Sequence, residues 1–164
     1  MNIIIDACSI INLFNSDSIL VSSGLRRCRI WLTPFVVGEC DLGNAADLME
    51  AEEGCYFRLN DGDIPVDRFL ELISEHGLGA GETECIAAAE ALGYSVCSDD
   101  RQARALARQV LGEDRVLGSA RLLKWCVEEE LVQCVDAAGR FTGMKAAGGF
   151  LPPLANDFFC VGDC

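Results

Sequence analysis

The sequence predicts an α/β domain built as three layers, α/β/α, around a central, mostly parallel sheet. Two observations carry that expectation. Short apolar runs alternate along the chain with stretches of helical spacing, the pattern of a domain whose strands are joined through helices. The 164 residues are 51% apolar with no repeat, low-complexity tract or linker, which suits one domain with one substantial core.

Asn2-Ile3-Ile4-Ile5 reads as a buried strand ending at Asp6, and Ala7 to about Asn15 has helical spacing. A short helix is expected over Ser18–Gly24 and a second strand over Arg29-Ile30-Trp31-Leu32. Thr33 can cap a helix with Pro34 at its first position, running through Glu39 towards Glu50. An extended piece, Cys55–Leu59, leads through the turn Asn60-Asp61-Gly62-Asp63 to a helix over about Val66–His76. Gly77–Gly81 is read as a break before an alanine-rich helix, Glu82–Leu92. Tyr94–Ser98 is expected to be a central strand, followed by a helix over Arg101–Leu111, a strand over Arg115–Leu117 and a helix over about Ala120–Glu129. Leu131–Val135 is read as a final edge strand. The expected division is a domain over 1–138 and a C-terminal tail over 139–164, packed on the domain or partly disordered.

The composition excludes several classes. No window approaches the roughly 20 apolar residues of a membrane span. The apolar start lacks a basic segment and carries Asp6 early, against a signal peptide, so a cytoplasmic protein is expected. The ten cysteines include no C-x-x-C pair and mostly sit in apolar runs, as reduced core residues do; Cys160 and Cys164, in a polar-flanked tail, are expected to be the exposed ones. His76 is the one histidine, so zinc and a histidine-based hydrolase are disfavoured. The glycines at 77–81 lack the G-x-x-x-x-G-K-[ST] of a phosphate loop. Asp6 lacks the second aspartate of an aspartyl-phosphate phosphatase, where Cys8 stands, and a receiver domain lacks its late lysine.

The net charge of −13 argues against a nucleic-acid partner until its distribution is considered. Residues 39–75 hold eleven acids and only Arg58 and Arg68, whereas residues 101–124 hold Arg101, Arg104, Arg108, Arg115, Arg121 and Lys124 against Glu113 and Asp114. The acids themselves fall at revealing places. In an open α/β sheet, ligands bind outside the carboxyl ends of the strands, where Asp6, Asp99 and Asp100 are expected. Glu82 and Glu84 open the helix that feeds the second of these strands, and Glu39 lies in the helix begun at Pro34. Singly, each acid has an ordinary account as a helix cap or first-turn charge. Jointly they do not, because two carboxylates 4 Å apart repel by roughly 4 kcal/mol at an effective dielectric near 20. A cluster of carboxylates without histidine or thiolate suits Mg²⁺ or Mn²⁺, and the chemistry that follows is in-line phosphodiester hydrolysis.

The ordered motifs resemble the PIN-domain ribonucleases. "IIIDACSIINLF" is similar to the family's first motif, and "GAGETECIAAAEALGYSVCSDDRQARALA" to its central segment. "VLGSARLLKWCVEEELV" resembles the strand and helix that follow in a branch close to the toxin nucleases of toxin–antitoxin pairs. The resemblance implies catalytic roles for Asp6, Glu39, Glu84 and Asp100, with Asp6, Glu84, Asp99 and Asp100 as metal ligands; Glu82 rivals Glu84 and Asp99 rivals Asp100. Ser9 and Ser98 match supporting hydroxyl positions. It further implies a Mg²⁺- or Mn²⁺-dependent endoribonuclease, an RNA substrate gripped partly by the arginines after Asp100, an antitoxin protein partner and a homodimer. The alternative is a PIN-like RNA-binding or scaffold module that does not cut, a reading the negative charge favours.

Overall fold

The computed structural model describes residues 1–40, 54–149, 151–155 and 157–160. Its five strands are β1 (Asn2–Ile5), β2 (Arg29–Leu32), β3 (Tyr56–Arg58), β4 (Ser95–Cys97) and β5 (Val116–Leu117), in the spatial order β3-β2-β1-β4-β5. Every pairing is parallel, with Ile4 opposite both Trp31 and Val96. A central parallel strand is covered on both faces and reads as continuous apolar sequence, which is why Ile3, Ile4 and Ile5 are all fully buried.

Eight helices flank this sheet among the described residues: α1 (Ala7–Asn15), α2 (Ile19–Ser23), α3 (Pro34–Glu39), α4 (Val66–His76), α5 (Ala80–Leu92), α6 (Arg101–Leu111), α7 (Ser119–Glu128) and α8 (Cys134–Ala146). Helices α1, α2, α7 and α8 pack together, and α5 packs against α3, α4 and α6. The result is the three-layer α/β/α fold. The course of the chain towards Glu50 after α3 lies outside the described residues.

The structure corrects the sequence reading in three places. Leu131–Val135 forms no strand; Cys134 opens α8 instead. Ala137, Phe141 and Met144 are buried there at positions i, i+4 and i+7, a helical period obscured by Gly139 and Gly143, which read as breakers. Helix α5 starts at Ala80, so Gly81 lies in its first turn rather than in a break. Cys8 is the exposed thiol among the described residues, whereas Cys160 is half-buried and Cys164 lies outside the described residues. Cys160 meets Cys134 at 3.4 Å in a tail that also packs Phe159 on Phe141 and accepts a hydrogen bond from Lys124 Nζ at the Phe158 carbonyl, 2.8 Å.

Candidate active site

Strand β1 delivers Asp6 to the carboxyl edge of the sheet, next to the end of β4, where the Asp6 amide donates to the Cys97 carbonyl at 3.0 Å. Asp6 is the N-cap of α1: its Oδ1 accepts from the Ser9 amide at 2.8 Å, the usual use of a cap carboxylate. Its other oxygen, Oδ2, is buried with no hydrogen-bond partner, and so is the Ser9 hydroxyl. Burial pushes the Asp6 carboxyl up to about 6; the Ser98 and Ser9 hydroxyls, close by but outside hydrogen-bonding geometry, and the Ser9 amide oppose the rise, and the Asp99 charge adds to it. A buried carboxylate with one bare oxygen is costly unless something charged or hydrogen-bonding meets it.

The adjacent aspartates are kept apart by the turn after β4. Asp99 turns inward and is buried, with Oδ2 accepting from Asn12 Nδ2 at 2.8 Å and Oδ1 from the Ser119 amide at 3.0 Å at the start of α7. Asp100 caps α6 through Oδ1, which takes the Gln102 and Ala103 amides at 2.8 and 2.7 Å. Ser98 Oγ in turn accepts from the Asp100 amide at 3.2 Å. Asp99 and Asp100 line a basin of about 210 Å³ with Cys8, Asn12 and Gly149. Around the Cys8 thiol gather the charges of Asp6, Glu82, Asp100 and Asp99, which with burial push it up to about 12, burial being the larger cause.

Glu84 and Glu39 lie elsewhere on the same edge. Glu84 is buried and its Oε2 accepts from the Phe35 amide at 3.0 Å, serving the first turn of α3 beside the Thr33 cap. Burial raises its pKa, Thr33 and the Phe35 amide lower it, and the charges of Asp61 and Glu39 raise it further. Glu84, Glu39 and Asp61 line a second depression, of about 490 Å³, together with Phe35. Two glycines make room for carboxylates here. A Cβ on Gly81 would stand 2.4 Å from Glu39 Oε2, and one on Gly79 would stand 2.2 Å from Glu82 Oε2.

The edge therefore carries two groups of acids. Asp6, Asp99 and Asp100 stand at neighbouring strand ends, with Glu82 near the same thiol; Glu84 and Glu39 share the depression at α3 with Asp61. Among the described residues, no three acidic, cysteine or histidine groups converge closely enough to hold a metal ion by themselves. Mg²⁺ retains several waters and is commonly bound through one or two carboxylates plus substrate phosphates. The bare, buried Asp6 Oδ2 and the all-oxygen donors beside it fit such an ion. Sequence reasoning missed Asn12 and Cys8. For Asn12 a signal exists: it is a polar residue inside the apolar run Ile10–Phe14 and is itself buried.

The all-parallel sheet carries carboxylates at the ends of its central strands, the arrangement against which the family match is read. The chain belongs to the PIN-domain family: the family model DUF3368, a PIN domain, matches residues 2–154. No curated protein and no solved structure matches the chain. No helix among the described residues is long and apolar enough to cross a membrane.

Proposed function

We propose that this PIN domain is a Mg²⁺- or Mn²⁺-dependent endoribonuclease and the toxin of a toxin–antitoxin pair. The observation that carries the reading is Asp6, a carboxylate buried at the end of the central strand with Oδ2 left bare, beside the ends of β4 where Asp99 and Asp100 stand. When bound, a divalent cation supplies Lewis acidity towards the phosphate and activation of a water. The chain's part is to hold the oxygens in place. Asp6 is fixed by the Ser9 amide and by its own amide on Cys97, Asp100 by two amides of α6, and Asp99 by Asn12 and Ser119. Oxygen donors held by packing and by further hydrogen bonds need little rearrangement when substrate arrives.

The toxin role rests on the likeness of residues 116–132 to toxin nucleases. A small antitoxin protein would silence the enzyme by covering the acidic edge, and the active form would be a homodimer. The test is cleavage of end-labelled single-stranded RNA by the purified chain with Mn²⁺, with Mg²⁺ and with chelator. Cleavage that needs metal and vanishes in Asp6→Asn supports the reading; intact RNA at every metal concentration, with RNA still bound, would establish the non-cleaving module that the charge of −13 favours. Expression without a partner should arrest growth, and normal growth with abundant folded protein would remove the toxin role.

A further inference from the structure

The tail after α8 returns to the start of the helix it leaves. Cys134 opens α8, and Cys160, 26 positions on, brings its Sγ to 3.4 Å from the Cys134 Sγ. Between the two cysteines the chain passes the acidic edge. Gly148 and Gly149 line the 210 Å³ basin with Asn12, Asp99 and Asp100, and Leu151 and Pro152 stand beside the same aspartates on the adjoining side. The fit against α1 is close: a Cβ on Gly149 would stand 2.5 Å from Asn12 Oδ1, and the Gly149 amide donates to the Met144 carbonyl at 2.9 Å. The tail is thus a wall of the basin, and its far end lies on Cys134.

We infer that Cys134 and Cys160 form a redox-active pair whose disulfide latches this wall onto the domain. The pair stands whether or not the chain cuts RNA. A disulfide holds its sulfurs about 2.05 Å apart, so the two thiols need close only about 1.4 Å more. Packing already holds them in register: Phe159 is buried on Phe141, and Lys124 Nζ binds the Phe158 carbonyl at 2.8 Å and lies 4.9 Å from the Phe158 ring centroid. Both cysteines are half-buried, which leaves a small oxidant a way in. The other thiols are placed differently. Cys28 and Cys55 also interact, but both are buried in the core. Cys8 stands among carboxylates, and burial with the charges of Glu39 and Asp6 pushes the Cys40 thiol up to about 11, which disfavours the reactive thiolate.

The oxidant is of the peroxide class. One thiolate attacks a peroxide oxygen, the O–O bond breaks, and a sulfenic acid forms as water leaves. The second thiolate attacks that sulfur, the S–S bond forms and hydroxide departs, taking up the remaining proton. Two thiols and one hydrogen peroxide thus give one disulfide and two waters; the sulfurs lose two electrons and the peroxide oxygens gain them. A small dithiol reverses the step. The bond closes a loop made of α8 and the tail, which restricts the unfolded chain and stabilises the folded one. It also ties down the end from which the wall would otherwise peel away.

The test treats the reduced full chain with one equivalent of hydrogen peroxide and reads it without reductant. Intact mass should fall by two hydrogens, and peptide mapping should join Cys134 to Cys160. The bond should be absent in Cys134→Ser and in Cys160→Ser, and should persist in Cys164→Ser. Oxidation should raise the melting temperature by about 5 °C or more, reversibly with dithiothreitol. Trypsin cleavage after Lys145, an exposed residue inside the closed loop, should slow by about tenfold or more, because cleavage there needs local opening. The two serine variants, which keep the fold and lose the bond, should show neither change. A bond to Cys164 or to another cysteine, a linked dimer, or thiols that stay unreacted would overturn the pair. The expected bond with unchanged melting and unchanged proteolysis would overturn the latch.

Discussion

The Asn12 side-chain amide donates to Asp99 Oδ2 at 2.8 Å, across 87 residues of chain, and ties α1 to the carboxyl end of β4. The other Asp99 oxygen accepts from the Ser119 amide, so one buried carboxylate joins three elements around the basin. Its charge lies near Asp6, and each of its oxygens accepts a hydrogen bond that a distant part of the fold supplies. Asn12→Ala should leave Oδ2 buried without its donor, a loss of about 1–3 kcal/mol. For a chain of this size each kcal/mol is about 2–4 °C in melting temperature. Calorimetry should record a drop of several degrees; an unchanged melting temperature would show that water replaces the amide.

Asp6 trades stability for its site. Its folded pKa of about 6 lies above the usual value of 3.8, so folding favours the protonated form. The contribution is fully present below about pH 4 and is lost as pH rises through about 6, leaving the ionised group destabilising by about 3 kcal/mol at pH 7. Asp6→Asn keeps an effective helix cap and removes that charge. The variant should melt several degrees higher than the wild type at pH 7.5, with the difference shrinking below pH 5, while cleavage is lost. Mg²⁺ or Mn²⁺ should raise the wild-type melting temperature and leave the variant unmoved, because binding to the folded state alone stabilises it. A variant less stable than the wild type at pH 7.5 would show that Oδ2 is already satisfied.

The same titration sets a pH dependence for activity. Cleavage should fall as pH drops below about 6, where Asp6 takes up its proton. Metal competes with that proton, so raising the Mn²⁺ concentration should move the midpoint to lower pH. A rate profile flat between pH 5 and 7 at low metal would separate Asp6 from the rate-limiting chemistry.

Much of the fold was legible because its signals are local. The isoleucines before Asp6, the Thr33-Pro34 start of α3 and the alanines of α5 each announce their element within a few residues. The site was legible only by position. Strand ends placed Asp6, Asp99 and Asp100 on one rim, but which way each carboxylate turns depends on amides contributed by α1, α3, α6 and α7, and no spacing in the sequence encodes those. Thus Asp99 and Asp100, side by side in sequence, serve different helices, and Glu84 turns to the Phe35 amide. Helix α8 was missed for a different reason: Gly139 and Gly143 mask its period, and tertiary packing of Phe141 and Met144 outweighs their low propensity.

Glu82 and Glu84 sit two positions apart on α5, too close along the helix to share a face, and the structure separates their surroundings. Glu84 is buried and its Oε2 serves the Phe35 amide, whereas the charge of Glu82 reaches Cys8 along with those of Asp6, Asp99 and Asp100. Glutamine can still accept from the Phe35 amide and carries no charge into the buried site, so Glu84→Gln should hold or slightly raise the melting temperature at pH 7 and reduce cleavage only modestly. Glu82→Gln should leave stability within about 0.5 kcal/mol, as exposed or partly exposed substitutions do, yet lower cleavage by tenfold or more, about 1.4 kcal/mol in the transition state. Gly81→Ala offers an independent check on the second depression. The new methyl must displace the Glu39 carboxylate, the mobile end of its side chain, and alanine favours the helix, so the fold should hold while any role of Glu39 in cleavage is lost. Equal loss of activity in Glu82→Gln and Glu84→Gln would mean that both groups of acids act on one substrate, and loss in Glu84→Gln alone would move the centre to the α3 side of the edge.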